Sequence, residues 1–189
     1  MSSYPIAKFR VFFAALILSF LLLPPGAAHA KSAKEIDASA DVALERFKKE
    51  VKGAEDYLKG AKGVLVMPNV KKVGLVIAGQ WGEGVLRVYN KSVAYYKMDT
   101  GSVGFQAGYQ EANFVFLFLT QGALDSFRAS SGWSAGMEVG ITVVDASTPT
   151  MSLDTLKSKS SVVAFAFGKE GLMGGWSAKG TKFTKLPVK

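Results

Sequence analysis

Residues 63–119 read GVLVMPNVKKVGLVIAGQWGEGVLRVYNKSVAYYKMDTGSVGFQAGYQEANFVFLFL, and this stretch decides the fold. It is a series of short β-like runs separated by glycine and turn residues. Residues 63–67 are apolar, and Pro68-Asn69 punctuates them. Residues 73–78 follow, then the glycine-rich 79–84, then 85–89. Asn90-Lys91 turns the chain into 92–97, and Asp99-Thr100-Gly101 is a turn signal ahead of 102–109. Residues 114–119 are wholly apolar, as in a strand buried on both faces. Further runs occur at 137–144, 162–167 and 172–178, with a short helix over 123–129. About eight to ten strands spaced by roughly 8–12 residues predict an antiparallel sheet, strongly curved into a sandwich or partial barrel. Isolated glycines such as Gly104 and Gly108 mark bulges, sharp bends or close backbone approach, and the bends are the preferred reading. No alternation of long helices with strands is present, which argues against a doubly wound α/β fold.

Ahead of the β region, residues 31–60 read as one amphipathic helix. Ile36, Ala40, Leu44, Phe47, Val51, Ala54 and Leu58 recur at spacings of three and four. Glu45–Lys49 and Glu55–Lys59 are i,i+4 pairs in the favourable order. Gly53 interrupts the pattern, and Gly60 is a candidate cap. The fold class is therefore α+β: a β-rich curved sheet with an N-terminal amphipathic helix and one or two short helices.

The first thirty residues have another character. Lys8 and Arg10 precede the thirteen-residue apolar run 11–23, Pro24-Pro25-Gly26 breaks it, and Ala28-His29-Ala30 is a small-x-small cleavage pattern. That is the layout of a secretory signal peptide, and the run is short of the roughly 20 residues a spanning helix needs. The expected organisation is 1–30 signal peptide, 31–60 helix packed on the domain, and 61–189 β-rich domain with a lysine-rich end. The expected location is the periplasm, reached across the inner membrane of a Gram-negative cell.

Export changes the chemistry on offer. The chain has no cysteine, and His29, its one histidine, leaves with the signal. Disulfides, thiolate nucleophiles, iron–sulfur clusters and Cys or His zinc sites are excluded. Gly132-Trp133-Ser134-Ala135-Gly136 matches G-x-S-x-G, but no histidine can take the serine proton and a strand-like run follows. Asp99-Thr100-Gly101 matches the aspartic-protease tripeptide in a single copy, where that chemistry needs two carboxylates. Carboxylates of the β region are scattered, with no Asp-x-Asp series. No enzymatic activity, cofactor or metal is expected.

Charge is informative by position. Segments 31–60 and 61–156 each carry seven basic and seven acidic residues, whereas 157–189 carries seven lysines and Glu170. Such an end favours anionic partners or serves solubility. Three arginines against eighteen lysines after residue 30, together with export, argue against nucleic acid. Lys71, Lys72, Lys179, Lys182 and Lys185 are the candidate cations, and Trp81 is a candidate interfacial aromatic.

The glycine pattern also carries a resemblance. Residues 61–70, Gly74 and Gly79-x-Trp81-Gly82-Glu83-Gly84 resemble the opening of the SYLF domain. Ser102-x-Gly104-x-Gln106-x-Gly108 is similar to its S-x-G-x-Q-x-G segment. Residues 116–120 with Ala123, Leu124 and Phe127, and then Gly171, Gly174 and Gly180, resemble its later blocks. The likeness spans roughly residues 58–184 in order. It implies binding to lipid, phosphoinositide-containing membranes in the eukaryotic members, and actin in the yeast ones. It carries over no catalytic residue. The helix here is charge-neutral where eukaryotic members have a basic one, and the lipid-bearing cysteine of lipoprotein relatives is absent. The expected function is non-enzymatic binding to anionic lipid or a membrane surface. The alternative is a structural or protein-interaction module of the cell envelope with a protein partner. Actin is not expected as a partner in a bacterium.

Overall fold

The computed structural model describes residues 31–74, 77–103, 108–134, 141–145, 151–171 and 180–187. The expected signal peptide and the expected strand at 172–178 lie outside them.

Helix α1 (Ala33–Glu50) begins at a capping box: Ser32 accepts from the Glu35 amide, and the Glu35 carboxylate accepts from the Ser32 amide. Its buried stripe is Ile36, Ala40, Ala43 and Phe47. The single helix expected over 31–60 is two helices. Val51 is extended, and Gly53 takes the left-handed conformation (φ 83°) before α2 (Ala54–Gly60), so the glycine breaks the helix. Glu45 pairs with Lys48 at 2.7 Å, and Glu55 with Lys59 at 3.8 Å.

The strands are β1 (Gly63–Gly74), β2 (Ile77–Val88), β3 (Lys91–Val103), β4 (Gly108–Phe118), β5 (Gly132–Ser134), β6 (Ile141–Asp145), β7 (Val162–Gly171) and β8 (Lys182–Leu186). Helix α3 (Gln121–Ala129) follows β4, and α4 (Leu153–Lys159) joins β6 to β7. They form one sheet, ordered β5-β8-β3-β2-β1-β4-β7-β6 and curled into a half-barrel. Every pairing is antiparallel except β6–β7, which is parallel. A parallel pair needs a crossover, and α4 supplies it.

The first strands are longer than their sequence texture implies. Pro68-Asn69 does not end β1. It forms a bulge at which the register shifts against both β2 and β4, with Asn69 at φ 51°. The glycines at 79–84 lie inside β2, and the turn signal 99–101 lies inside β3. The real turn between those strands is Tyr89-Asn90, both at positive φ. Gly84 shows why glycine is needed in the strand: a Cβ there would lie 2.0 Å from the Val66 carbonyl oxygen and 2.4 Å from Met67 Sδ.

The sheet has a core on each face. Inside the curl, Leu65, Met67, Phe114, Phe116 and Phe118 pack with Phe127 of α3, Trp133 and Phe183. On the outside, Val66, Val85, Val115, Leu117, Phe165 and Phe167 pack under α1, α2 and α4. The continuous apolar run in β4 follows from this, since alternate side chains feed both cores.

Candidate functional site

Helix α1 crosses the outer face on a diagonal and is pinned at both ends. Near its start, Asp37 accepts hydrogen bonds from Ser92 and Tyr95 in β3, and Arg87 donates to Asp41. Burial alone would raise the Asp37 pKa, but Ser92, Tyr95 and Arg87 together hold it below its ordinary value. Near its end, Glu50 accepts from the Gly168 amide and pairs with Arg46, which also reaches Glu170.

Beside the helix, the outer face is uncovered toward the far ends of β1 and β2. Directly opposed residues of an antiparallel ladder project to the same face. One such row runs Glu170, Glu111, Lys71, Trp81, Asp99, Lys182, Ser134 across seven strands. The next row on this face is Tyr109, Val73, Gly79, Gly101. Trp81 is 43% exposed, Val73 42% and Tyr109 47%. The Trp81 ring lies along the strand beside Gly79, where a Cβ would make only ordinary contact with it at 3.8 Å. Tyr109 donates to Glu111 at 2.6 Å, and that bond raises its phenol above the usual value. Both signs of charge occur along the row, and Asp99 is bridged to Lys97 at 3.1 Å.

A groove of about 200 Å³ adjoins the Glu111–Lys71 pair, where the bulge of β1 meets α1. Ser39, Val42, Ala43, Arg46, Asn69 and Asn113 line it. Asn113 accepts from the Asn69 amide and so holds the bulge in place. Val42 is 71% exposed on the helix at the groove's rim. Trp81, Val73 and Tyr109 thus set exposed apolar surface beside Lys71, and Val42 adds more at the rim of the groove.

The candidate residues divide between the two faces. Lys71 and Trp81 are cross-strand partners, and Lys182 stands two strands beyond Trp81 on the same face, opposite Asp99. Lys72 does not join them. It is one pleat further on, turned to the inner face and 7% exposed, so it is removed from the surface set. Lys182 and Lys185 do not form one cationic stripe either. They are three apart on a strand, so Lys185 falls on the opposite pleat, paired with Tyr96, although it remains exposed. Lys179 lies outside the described residues. Tyr109, Val73 and Val42 were not among the sequence candidates; the period-2 pattern of β1 was the usable signal for Val73.

Chemically, the surface offers two amphipathic aromatics, aliphatic area and ammonium groups among carboxylates. Among the described residues no cluster of three metal-ligating side chains exists, and no helix is long and apolar enough to cross a membrane.

The chain matches no curated protein. A family model described as Ysc84, Las17-binding protein actin regulator, matches residues 99–186, which run from within β3 to the end of β8. The matched segment holds Lys182 and Lys185, while Lys71 and Trp81 precede it on strands that pair with it. Residues 99–186 thus match the Ysc84, or SYLF, family of binding domains that the glycine motifs also resemble.

Proposed function

We propose that this protein is exported and binds the surface of anionic membranes without catalysing a reaction. The observation that carries the reading is the Trp81–Val73–Tyr109 patch around Lys71 on the uncovered outer face. Amphipathic aromatics favour the boundary between headgroups and acyl chains, where ring and polar tip are both satisfied. Lysines add attraction to anionic headgroups of roughly 1 kcal/mol each near the surface. Lys71 and Lys182 supply it on this face, with Lys185, on the opposite pleat, and Lys179 candidates on charge alone. Because carboxylates interleave with the outer-face lysines, the aromatic patch dominates and the lysines tune. The lipid association of the SYLF family supports the reading.

Sedimentation with vesicles tests it. Phosphatidylglycerol vesicles are expected to carry the protein down, phosphatidylcholine vesicles much less, and salt to weaken binding. Equal binding to both, or none, contradicts the proposal. Export is checked by the mass of the protein recovered from the periplasm, expected to begin at Lys31.

A second reading is a protein-interaction module of the envelope, favoured by the protein partner named in the family's description. The same patch would then be buried by a protein, vesicles would be ignored, and pull-downs would recover the partner.

A further inference from the structure

Two irregularities of the sheet lie side by side next to α1. The bulge of β1 holds Asn69 at φ 51°. On the neighbouring strands the β4–β7 register shifts between Glu111 and Asn113, where β7 carries Gly168 at φ 60°. Bulges re-aim side chains and gather beside functional sites. Here they bring two carboxamides, those of Asn69 and Asn113, to the groove of about 200 Å³ that α1 lines with Ser39, Val42, Ala43 and Arg46.

The groove has hydrogen-bonding capacity to spare. Asn113 is 6% exposed and commits only its Oδ1, to the Asn69 amide. Its Nδ2 has no acceptor among the described residues, and the exposed Asn69 carboxamide has no partner among them. Ser39 donates to the Glu35 carbonyl, which leaves its oxygen able to accept. Arg46 is committed through Nε to Glu50 and has Nη1 3.7 Å from Glu170. Gly168 makes this arrangement compact. A Cβ there would lie 2.6 Å from Arg46 Cζ and 2.8 Å from Asn113 Nδ2, so both planar groups pack against bare backbone.

Polarity selects the ligand. Of the six lining residues only Arg46 is charged, and Glu50 and Glu170 offset it. Lys71, beside the groove, opposes Glu111. A bare anion therefore gains little here. What remains is a neutral set of N–H donors and oxygen acceptors next to the Val42 and Ala43 side chains. A hydroxyl both donates and accepts, and adjacent hydroxyls match the paired donor and acceptor of a carboxamide. The carbon skeleton that carries them then lies on Val42 and Ala43. The volume is below the roughly 300–1,000 Å³ of pockets for drug-sized ligands, which suits one ring or a three-carbon unit. We infer that the groove binds a single neutral polyol unit, a sugar ring or glycerol, either free or as a lipid headgroup. The site adjoins the Trp81 patch and does not depend on it.

Nitrogen-15 NMR of the whole chain tests the inference, because the side-chain amides of Asn69 and Asn113 are observed directly. Methyl glucoside, methyl galactoside and glycerol are titrated in turn, with inorganic phosphate as the anionic comparison. At least one polyol is expected to move both amide signals saturably, and phosphate to leave them in place. Asn69→Gly suits the left-handed backbone, and Asn113→Asp keeps the acceptor that holds the bulge, so both variants are expected to fold. Each is expected to bind at least tenfold more weakly, with Trp81→Ser unchanged. Sedimentation with phosphatidylcholine vesicles carrying a galactosyl diacylglycerol is the second arm. Dependence on Asn69 and Asn113 with these vesicles alone assigns the unit to a lipid headgroup. If neither the polyols nor these vesicles respond to Asn69 and Asn113, or if phosphate moves the amide signals in place of the polyols, the inference is overturned. Binding to phosphatidylglycerol vesicles through Trp81 and Lys71 stands or falls separately.

Discussion

Lys71 and Trp81 oppose each other directly across β1 and β2 on the outer face, while Lys72, the next residue, is buried behind them opposite Gln80. One pleat separates a cation at the solvent-facing patch from a cation in a buried polar layer. The adjacent lysines of Lys71-Lys72 therefore have different roles, and substitutions at the two positions report on different surfaces.

Gly84 is expected to be intolerant of any side chain. With a Cβ placed 2.0 Å from the Val66 carbonyl oxygen, Gly84→Ala must push β2 away from β1 at the bulge, at a cost of about 3 kcal/mol. Gly101, where a Cβ meets nothing within 4 Å, is the control, and Gly101→Ala is expected to shift stability by less than about 0.5 kcal/mol. Urea denaturation of both variants checks the contrast.

Phe47 anchors α1 on the outer core. Its ring lies 5.4 Å from that of Phe165 and 5.3 Å from that of Phe167. Phe47→Ala is expected to destabilise the domain by about 3–5 kcal/mol through lost burial and the cavity left behind. Hydrogen exchange is expected to show α1 losing protection before the β1–β4 ladder does.

Asp37 gives the pinning of α1 a pH dependence of known sign. Its folded pKa is depressed below the ordinary 3.8, so its contribution is present above that pH and is lost as the pH falls through the folded value. Hydrogen bonds to a charged acceptor of this kind are worth about 1–2 kcal/mol. Asp37→Asn is expected to lose that amount at pH 7 and to flatten the stability profile below pH 4, read by chemical denaturation at each pH.

Much of this architecture was legible in residues 63–119, and the misreadings share a cause. Texture identified β structure, strong curvature and the doubly buried run at 114–119. It cut strands short at Pro68-Asn69, at 79–84 and at 99–101 because proline and glycine signal turns in isolated segments. In a curled sheet the same residues serve as bulges and close-contact points, and tertiary packing decides between the two uses. Gly53 behaved as its left-handed preference requires and broke the helix. The site was partly legible: Lys71 and Trp81 were identified singly, but their pairing is a matter of register, which sequence spacing does not encode. Lys182 and Lys185 were likewise identified singly, and the strand's two-residue period puts them on opposite faces.

That last point has a measurable consequence. Lys182→Glu changes the outer face beside Asp99 and is expected to weaken binding to anionic vesicles by about three- to tenfold, given roughly 1 kcal/mol per surface lysine and added repulsion. Lys185→Glu, on the other pleat, is expected to weaken it less. Vesicle titrations at two salt concentrations separate the pair, and equal losses would mean that bulk charge alone matters.

The central claim is that the Trp81 patch meets the membrane, and one comparison addresses it most directly. Trp81→Ser and Tyr109→Ser are combined, and the double variant is sedimented with phosphatidylglycerol vesicles beside the unaltered protein. Both side chains are close to half exposed, so stability is expected to change by less than about 1 kcal/mol. Binding is expected to fall at least tenfold while the circular dichroism spectrum stays the same. Undiminished binding by a folded double variant would contradict the claim.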